Sequence, residues 1–462
     1  MDYDILILGG GIIGCSVAYE LSKYNFNIAL IEKNYDVVDD AYFLNTSVIY
    51  DGSESKNSIM ANLEKGGSKL IEEACSKFNV KYTKTGALRV GSTDKEIERV
   101  EYMYTLSKQR GIDNVRLVDE DEIYKIEPNL KSGFKKGLYS ENVAIMNPYD
   151  LAISYGEIAT NNGVNFRFEE EVKKIEKVSK GFKVTTNKNK FKCRIVINTI
   201  IDDIYEEEEN VNEDENFRHM NYVLVDENIK KPLNTVVVND FSSKQFVISI
   251  PSIQGGSIIG IKNNETLEIQ DRMEYSNKIV QGLEDKNINS IFCDKKNNLI
   301  IIDDTDIVNG YISLTGSHYA KITLAPAIAK SIVDSIANNT KVSLKKDFID
   351  KRREFFKFRD MNNEERNEII AVDKRYGNVI CICNQVTEGE IVDSIRRPLG
   401  ARTVEGVKKR TGAGLGGCYG TYCSRKIIKI LAKEINKMPT EIVEDSKESK
   451  IWASRIKEFD EV

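Results

Sequence analysis

The sequence predicts an α/β domain that carries an inserted, mainly antiparallel α+β domain and is followed by a small helical C-terminal domain. Three observations support this fold class. The first 33 residues read as strand, glycine-rich turn, helix and strand; apolar runs of strand length recur from about residue 166 to 302; and four cysteines cluster near the C-terminus. With 462 residues, the chain is long enough for two or three domains that each bury a core.

The N-terminal unit is predicted to contain a strand at Asp4–Leu8, a helix at Ile12–Tyr24 and a strand at Ile28–Ile31, as the spacing of the apolar residues indicates. Residues 9–14, between the first strand and the helix, read Gly-Gly-Gly-Ile-Ile-Gly and fit G-x-G-x-x-G. A glycine motif in this context is typical of a Rossmann-like dinucleotide site.

The residues of this motif have separate physical roles. Gly9 permits the tight turn, Gly11 lets a pyrophosphate approach the helix N-terminus, and Gly14 lets helix and strand pack closely. Glu32 ends the second strand, where a carboxylate can accept hydrogen bonds from ribose hydroxyls. These residues fit FAD and NAD equally, because both cofactors contain an ADP half; a tight turn that binds nothing is the structural alternative.

Further helices are predicted at Asn57–Phe78, Lys95–Arg110, Tyr149–Asn161 and Thr323–Ala337, the last with Pro326 in its first turn. The strand-length apolar runs suggest a largely antiparallel sheet and comprise residues 182–185, 195–197, 222–225, 235–238, 245–250 and 257–261. A lysine-rich and acidic stretch at 342–375 is interpreted as a linker, which places a C-terminal module at 376–440 and a tail at 441–462.

Composition excludes several classes of function. The net charge is −6 and Lys and Arg are spread along the chain, so we expect no nucleic-acid partner. No apolar run approaches the roughly 20 residues of a membrane-spanning helix, and the N-terminus lacks the pattern of a secretory signal. We therefore expect a cytoplasmic protein without a transmembrane segment. Only two histidines occur, which excludes a histidine-rich metal site.

The eight cysteines fall into two groups. Cys381 and Cys383 are followed, after 34 intervening residues, by Cys418 and Cys423, which gives C-x-C and C-x4-C pairs. Four thiolates in two close pairs suit a [2Fe–2S] cluster or a tetrahedral zinc ion. The remaining four are single residues among apolar neighbours and are interpreted as ordinary buried thiols: Cys15, Cys75, Cys193 and Cys293.

Short segments beyond the glycine motif match a known pattern: Asn45–Ile49 before Gly52, Thr85–Leu88, Asn147–Pro148, and Thr323 with Ala325–Ala327 after Gly316. With the glycine motif, they make residues 1–341 resemble the amino-acid-oxidase-type flavoprotein family, particularly bacterial FAD-dependent glycerol-3-phosphate dehydrogenases and 2-hydroxyglutarate oxidases. The resemblance implies FAD. It also implies nucleotide-binding segments at about 1–90, 145–202 and 300–341, and substrate or cap segments at about 80–145 and 215–300.

By this resemblance, one set of residues is expected to contact FAD, with Val172 meeting the adenine side through its backbone. The set is Gly9, Gly11, Ile13, Gly14, Glu32, Lys33, Asn45, Ser47, Val172, Gly316 and Thr323. No catalytic residue is assigned.

Several positions depart from the family's pattern near the expected flavin and substrate. Ile201 replaces a glycine that allows close backbone approach, and Lys321 stands at the glycine of a Ser-Pro-Gly-Leu-Thr turn. Tyr50 occupies the place of a histidine, while the segment Phe292–Lys296 lacks the arginine that commonly holds an anionic substrate. These replacements weaken or rearrange the site that the resemblance implies.

The replacing residues have more than one possible role. Lys321 can stabilise an anionic reduced flavin or face solvent, and Tyr50 can hydrogen-bond substrate or flavin or serve in packing. Lys295 or Lys296 can substitute for the missing arginine electrostatically, although without its bidentate fork. His318, which precedes the altered turn, is a possible proton acceptor.

The C-terminal module carries a second pattern. The C-x-C and C-x4-C spacing, the segments Tyr376–Ile380 and Val386–Ile391, and a glycine-rich loop before Cys418 resemble the [2Fe–2S] domain of bacterioferritin-associated ferredoxin. Thr387 and Glu390 are spaced as a capping box that opens a helix. The resemblance implies that all four cysteines ligate a [2Fe–2S] cluster; zinc and no metal are the alternatives.

Together, the two resemblances imply a flavoprotein dehydrogenase with an attached electron relay, as in anaerobic glycerol-3-phosphate dehydrogenase large subunits. Its substrate would be a small hydroxylated, anionic metabolite, and its partner a second, NAD-linked flavoprotein or another electron-acceptor subunit. The altered positions leave an alternative, a flavoprotein scaffold that serves as an electron-transfer or structural subunit without its own substrate chemistry.

Overall fold

The computed structural model describes residues 1–38, 47–200, 218–226, 228–242, 245–253, 255–296 and 299–452. In chain order its strands are β1 (Tyr3–Leu8), β2 (Ile28–Ile31), β3 (Val48–Ile49), β4 (Tyr82–Lys84), β5 (Ala87–Gly91), β6 (Val115–Asp119), β7 (Lys136–Ser140), β8 (Ala144–Met146), β9 (Asn165–Arg167), β10 (Val172–Val178), β11 (Gly181–Thr186), β12 (Lys190–Asn198), β13 (Arg218–Val225), β14 (Val236–Asp240), β15 (Phe246–Pro251), β16 (Ser257–Asn263), β17 (Ile288–Lys296), β18 (Leu299–Asp303), β19 (Tyr311–Ser317), β20 (Val379–Cys381) and β21 (Val386–Thr387). Its helices are α1 (Ile12–Leu21), α2 (Ser58–Phe78), α3 (Asp94–Gln109), α4 (Glu120–Ile126), α5 (Pro148–Asn161), α6 (Ile269–Ser276), α7 (Lys321–Asn339), α8 (Asn363–Val372), α9 (Glu388–Arg396), α10 (Val404–Thr411) and α11 (Ser424–Glu434).

The first sheet confirms the predicted βαβ unit. Its order is β10-β11-β12-β1-β2-β9, and β19 pairs with β12 and with β18. Strands β1, β2, β9, β12 and β19 are parallel where they pair, and their apolar residues are almost completely buried under α1, α5 and α7. The carboxyl ends of β1 and β2 therefore meet at one edge, the position where α/β sheets bind nucleotides.

The second sheet is the inserted one. Its order is β17-β13-β16-β15-β14-β5-β7-β6, and neighbours pair antiparallel except for β14 and β5. One face packs into a separate apolar core that includes Leu88, Val223, Val247 and Ile261. The predicted combination of a Rossmann-like domain with a mainly antiparallel α+β insertion is confirmed.

Two details of the sequence prediction are wrong. The runs 182–185 and 195–197 belong to the first sheet as parts of β11 and β12, and β12 pairs with β1 in parallel. Helix α7 begins at Lys321, so Pro326 lies at its sixth position and not in its first turn. Strand-length apolar runs do not carry their pairing direction, because that is set by contacts distant in sequence.

The C-terminal module folds around its own apolar core, formed chiefly by α9, α10 and α11, with β20 and β21 as a short hairpin. The predicted capping box is present: Thr387 Oγ1 caps the Glu390 N–H, and the Glu390 carboxylate accepts from the Thr387 N–H at 2.7 Å.

Buried ion pairs join the module to the first domain. Glu157 of α5 accepts from Arg397 Nε at 2.6 Å and from Arg352 Nε at 2.8 Å, and Asp36, just after β2, pairs with Arg410 of α10. Among the described helices, none has both the length and the apolar character that crossing a membrane requires.

Candidate functional site

The glycine turn has the geometry that its motif predicts. Gly9 has φ of +98°, and a Cβ on Gly14 would lie 2.0 Å from the Gly9 carbonyl oxygen, so neither position tolerates a side chain. A Cβ on Gly11, by contrast, would meet no atom of the described residues within 4 Å. Gly11 thus faces open space at the N-terminus of α1, where free N–H groups favour a phosphate.

Glu32 is held by the turn itself. Its two carboxylate oxygens accept from the Gly10 N–H at 2.6 Å and from the Asn34 N–H at 2.9 Å. Each carboxylate oxygen has a second lone pair, so this arrangement orients the group and leaves capacity for a ribose hydroxyl.

The structure places the other expected cofactor residues as follows. Ile13 is buried in α1, Lys33 is exposed beside Glu32, and Val172 begins β10 with its side chain buried. Gly316 lies in β19 with φ of +83°, a conformation that favours glycine. Asn45 lies outside the described residues, as does Ile201.

Ser47 and Thr323 lie close to each other around the start of α7. Ser47 Oγ is buried and, within the described part of the chain, has no hydrogen-bond partner. Thr323 is fully buried in α7, and its Oγ1 accepts from the Tyr50 N–H at 3.1 Å. The start of α7 is therefore fixed against the segment that contains Ser47 and Tyr50.

A buried carboxyl that the sequence analysis did not single out lies next to these residues. Glu64 of α2 is fully buried, and its Oε1 accepts from the Tyr319 hydroxyl at 2.9 Å. Its Oε2 has no hydrogen-bond partner among the described residues. Burial raises the pKa of Glu64 to about 8, with smaller contributions from the nearby carboxylates Glu54 and Asp51, so the group is largely protonated at neutral pH.

Tyr50 completes this group of side chains. Its ring meets that of Tyr319 edge-on, with centroids 5.0 Å apart. Burial raises the pKa of Tyr50 far above its ordinary value. Tyr50 therefore stays a phenol and can donate a hydrogen bond but not act as a base at neutral pH.

His318 does not suit the role of proton acceptor. Its Nδ1 already accepts from the Ala320 N–H at 3.2 Å, and burial lowers the pKa of His318 to about 4. Lys321 is the first residue of α7 and is half-buried, so it is not a simple solvent-facing lysine.

The second sheet carries an ion cluster near Tyr50. Arg89 of β5 is buried and pairs with Glu54 and with Asp240 of β14. One carboxylate balances the positive charge of the guanidinium, and the second carboxylate gives the cluster a net negative charge. The side chains of Lys295 and Lys296 lie outside the described part of the structure.

The four clustered cysteines come together as two pairs. The Cys381 thiol contacts that of Cys423, and the Cys383 thiol contacts that of Cys418. Cys381 and Cys423 are buried, whereas Cys383 is exposed and Cys418 half-exposed. Within the described residues, no three metal-ligating side chains converge closely enough to enclose a single ion.

Backbone donors surround the outer pair. The pKa of Cys418 is below its ordinary value. The largest cause is a hydrogen bond with the Cys383 thiol, and hydrogen bonds from the N–H groups of Gly420, Tyr422 and Thr421 lower the pKa further. Amides directed at a sulfur stabilise a thiolate, as metal clusters require.

Of the four other cysteines, three are buried as predicted, whereas Cys293 is only partly buried, because it lies on edge strand β17.

Comparisons with known proteins agree with this geometry. Residues 4–335 match the model of the FAD dependent oxidoreductase family, and residues 379–433 match the BFD-like [2Fe-2S] binding domain. This chain belongs to the FAD-dependent oxidoreductase family.

Individual relatives of this FAD-dependent oxidoreductase cover different parts of it. A glycerol 3-phosphate dehydrogenase from Caloramator mitchellensis is 31% identical over 97% of this chain and 98% of its own length. A mitochondrial L-2-hydroxyglutarate dehydrogenase from Dictyostelium discoideum is 28% identical over 40% of this chain and 42% of its own. The structure of an FAD-bound glycerophosphate oxidase from Mycoplasma pneumoniae has a TM-score of 0.64 at 23% identity over 77% of this chain and 99% of its own, which supports the fold.

The residues of this oxidoreductase fit its two cofactors. For FAD, the open space at Gly11 suits a pyrophosphate, and the Ser47 hydroxyl, which has no partner among the described residues, has hydrogen-bonding capacity left for a ligand. For [2Fe–2S], two thiol pairs provide the four sulfur ligands that the cluster takes, and zinc is not the group that the matched domain binds.

The sequence contained a signal for Glu64. The buried residues of α2 follow helical spacing and include Ala61, Glu64, Gly67 and Ile71. A carboxyl in the middle of such an apolar stripe is costly to bury and indicates a special role. Its partner Tyr319 is 255 residues away, so no sequence pattern indicates the pair.

We expect Glu64→Gln to remove a pH dependence of stability. In the wild type, the folded state keeps the proton up to about pH 8, whereas the unfolded chain loses it near pH 4.3, so stability falls as pH rises between these values. The glutamine variant keeps the acceptor for Tyr319 and has no proton to lose. Thermal unfolding from pH 5 to 8 should show a decline in the wild type, on the order of a few kcal/mol, that the variant lacks.

An equal decline in both proteins would contradict this assignment of Glu64. Glu122→Gln, at an exposed carboxylate paired with Arg116, is the matched control and should behave as the wild type.

Proposed function

We propose that this protein is a dehydrogenase that oxidises a small hydroxylated, anionic metabolite of the glycerol 3-phosphate kind and passes the electrons through its cluster to a partner. The observation that carries the proposal is the likeness to a glycerol 3-phosphate dehydrogenase over 97% of this chain, which includes both the flavoprotein domain and the cluster module. Bound FAD supplies the hydride acceptor for this chemistry, and the cluster supplies the one-electron relay.

The chain's own residues have the following roles in this proposal. The ADP half of FAD is bound by Gly9, Gly11, Ile13, Gly14, Glu32, Lys33 and Val172. The remaining part of FAD is contacted by Asn45, Ser47, Gly316 and Thr323. Cys381, Cys383, Cys418 and Cys423 ligate the cluster.

Tyr50 orients the substrate side of the site as a hydrogen-bond donor, and the ring of Tyr319 packs edge-on against it. Glu64, protonated at neutral pH, fixes the Tyr319 hydroxyl. The electron acceptor is a second, NAD-linked flavoprotein or another acceptor subunit, and the protein acts in the cytoplasm.

One observation favours a second candidate, a flavoprotein subunit without substrate chemistry of its own. Arg89, a buried cation near Tyr50, is already paired with two carboxylates, and Arg110 donates to the backbone carbonyls of Ser55 and Lys56. An anionic substrate placed beside these residues would meet no uncommitted cation among them.

Anaerobic titration with glycerol 3-phosphate tests the proposal. The purified holoprotein should show bleaching of the flavin absorption by glycerol 3-phosphate and not by glycerol, because the phosphate is part of what is recognised. Full cofactor loading without bleaching by glycerol 3-phosphate, lactate or L-2-hydroxyglutarate would overturn it and support the second candidate.

A further inference from the structure

The outer edge of the cluster module exposes large apolar side chains. Four of them, here called the rim, are Ile382, Leu415, Tyr419 and Tyr422, with exposed fractions of 77%, 48%, 71% and 76%. Side chains of this kind are normally scattered singly on a surface, and a contiguous group marks an interaction site.

The rim is contiguous because it surrounds the outer pair of cysteines. Ile382 precedes the exposed Cys383, while Tyr419 and Tyr422 follow Cys418, which contacts Cys383. The loop that contains Leu415 also lies on this pair, since a Cβ on Gly416 would be 2.4 Å from the Cβ of Cys383. The apolar rim therefore encloses the exposed edge of the cluster site.

The rim extends to the inserted domain. The Tyr419 hydroxyl donates to Asn289 Oδ1 at 2.9 Å, and Asn289 belongs to β17, an edge strand of the second sheet. Ile291 lies two residues along the same strand, on the same face, and is 40% exposed. A partner that covers the rim can thus contact both domains.

Basic residues border the rim. Arg425 and Lys426 occupy the first turn of α11, directly after Cys423, and Lys429 follows one turn later; all three are exposed. Cations are unfavourable at a helix N-terminus, and this turn has no acidic residue. Residues 376–440 contain eleven Lys and Arg and five Asp and Glu, a net charge of +6 in a chain whose total is −6.

We propose that the rim and the basic start of α11 form the docking surface for an acidic one-electron carrier protein, of the iron–sulfur or FMN kind. Apolar contact around the exposed ligands brings a partner's cofactor close to the cluster, and the basic border selects a partner with acidic residues around its own cofactor. The proposal deepens the proposed function, since it names the chemistry of the electron partner.

Rapid mixing of the oxidised holoprotein with photoreduced flavodoxin, an acidic FMN protein, tests this surface. Each flavodoxin gives up one electron and each cluster takes one, which bleaches the cluster absorption. The second-order rate should fall by about tenfold or more from about 20 mM to about 500 mM NaCl, because screening weakens attraction between charged surfaces.

Variants locate the effect. Lys426→Glu and Tyr422→Ala should each lower the rate at low salt by about tenfold, whereas Lys330→Glu, at an exposed lysine of α7, makes the same charge change outside the module and should leave it unchanged. Iron content and the cluster's midpoint potential are measured for each variant before mixing. Lys429→Glu serves as a second charge variant if Lys426→Glu does not retain its cluster.

Two results among the variants would overturn the proposal. One is an equal rate in the α11 and α7 variants. The other is a slower rate that a shifted cluster potential explains, which would mean that the basic residues tune the cluster and do not dock a partner. With the basic protein cytochrome c as acceptor for the pre-reduced cluster, a rate that falls with added NaCl as the flavodoxin rate does would also contradict it, because screening should speed a reaction between surfaces of like charge. The flavodoxin experiment needs no substrate. It therefore tests the docking surface even if glycerol 3-phosphate does not bleach the flavin.

Discussion

Cys381→Ala should lose nearly all of its iron and the visible absorption of the cluster while retaining FAD. Cys381 is buried in the core of the module and provides one of the four sulfur ligands of the proposed site, so the remaining thiols cannot hold both irons. Iron analysis and the visible spectrum of anaerobically purified protein measure this directly. Electron delivery to an external carrier protein should disappear with the cluster.

Cys75→Ala is the matched control, because Cys75 is equally buried but lies in α2, outside the module. It should keep both iron and flavin. Cluster absorption that survives in the Cys381 variant would contradict the ligand assignment.

Glu157→Ala should destabilise the contact between the first domain and the C-terminal module by about 3 kcal/mol, because the buried cations Arg397 and Arg352 lose their shared carboxylate and keep only Asp393 and Asp150 as partners. Arg397 and Glu157 have side chains that are each 2% exposed, and Arg352 shares the same carboxylate. Burial alone would raise the pKa of Glu157, but Arg397 and Arg352 outweigh it and hold the pKa below its ordinary value. Thermal unfolding followed by both flavin fluorescence and cluster absorption should therefore begin at a lower temperature.

The control for this variant is Glu72→Ala, which removes the partner of Lys84 in a pair whose two side chains are both nearly half exposed. Exposed pairs contribute little, so this change should cost less than about 1 kcal/mol. Similar losses in both variants would show that the buried pairs do not hold the module in place.

Features of this fold that depend on neighbouring residues were predictable from the sequence. Contacts between residues that are far apart in the chain were not. The strand, turn and helix around Gly9–Gly14 and the capping box of Thr387 and Glu390 depend on neighbouring residues, so their patterns are visible in the sequence. The clustering of the four cysteines was visible for the same reason, since their short spacings are local, and their role as cluster ligands stays a prediction.

The features that were missed join residues far apart in the chain. Glu64 meets Tyr319 across 255 residues, Arg397 meets Glu157 across 240, and Arg410 meets Asp36 across 374. Such contacts follow from the packing of whole helices and not from any local pattern. The same limit explains why the parallel pairing of β12 with β1 was not predicted.

The central claim is that electrons enter at the flavin site and leave through the cluster. Anaerobic rapid mixing of the holoprotein with glycerol 3-phosphate tests it most directly, with flavin and cluster absorption recorded together. The account predicts flavin bleaching first and cluster bleaching after it, with only the first event in Cys381→Ala. Bleaching of neither group by glycerol 3-phosphate in fully loaded protein would contradict the account.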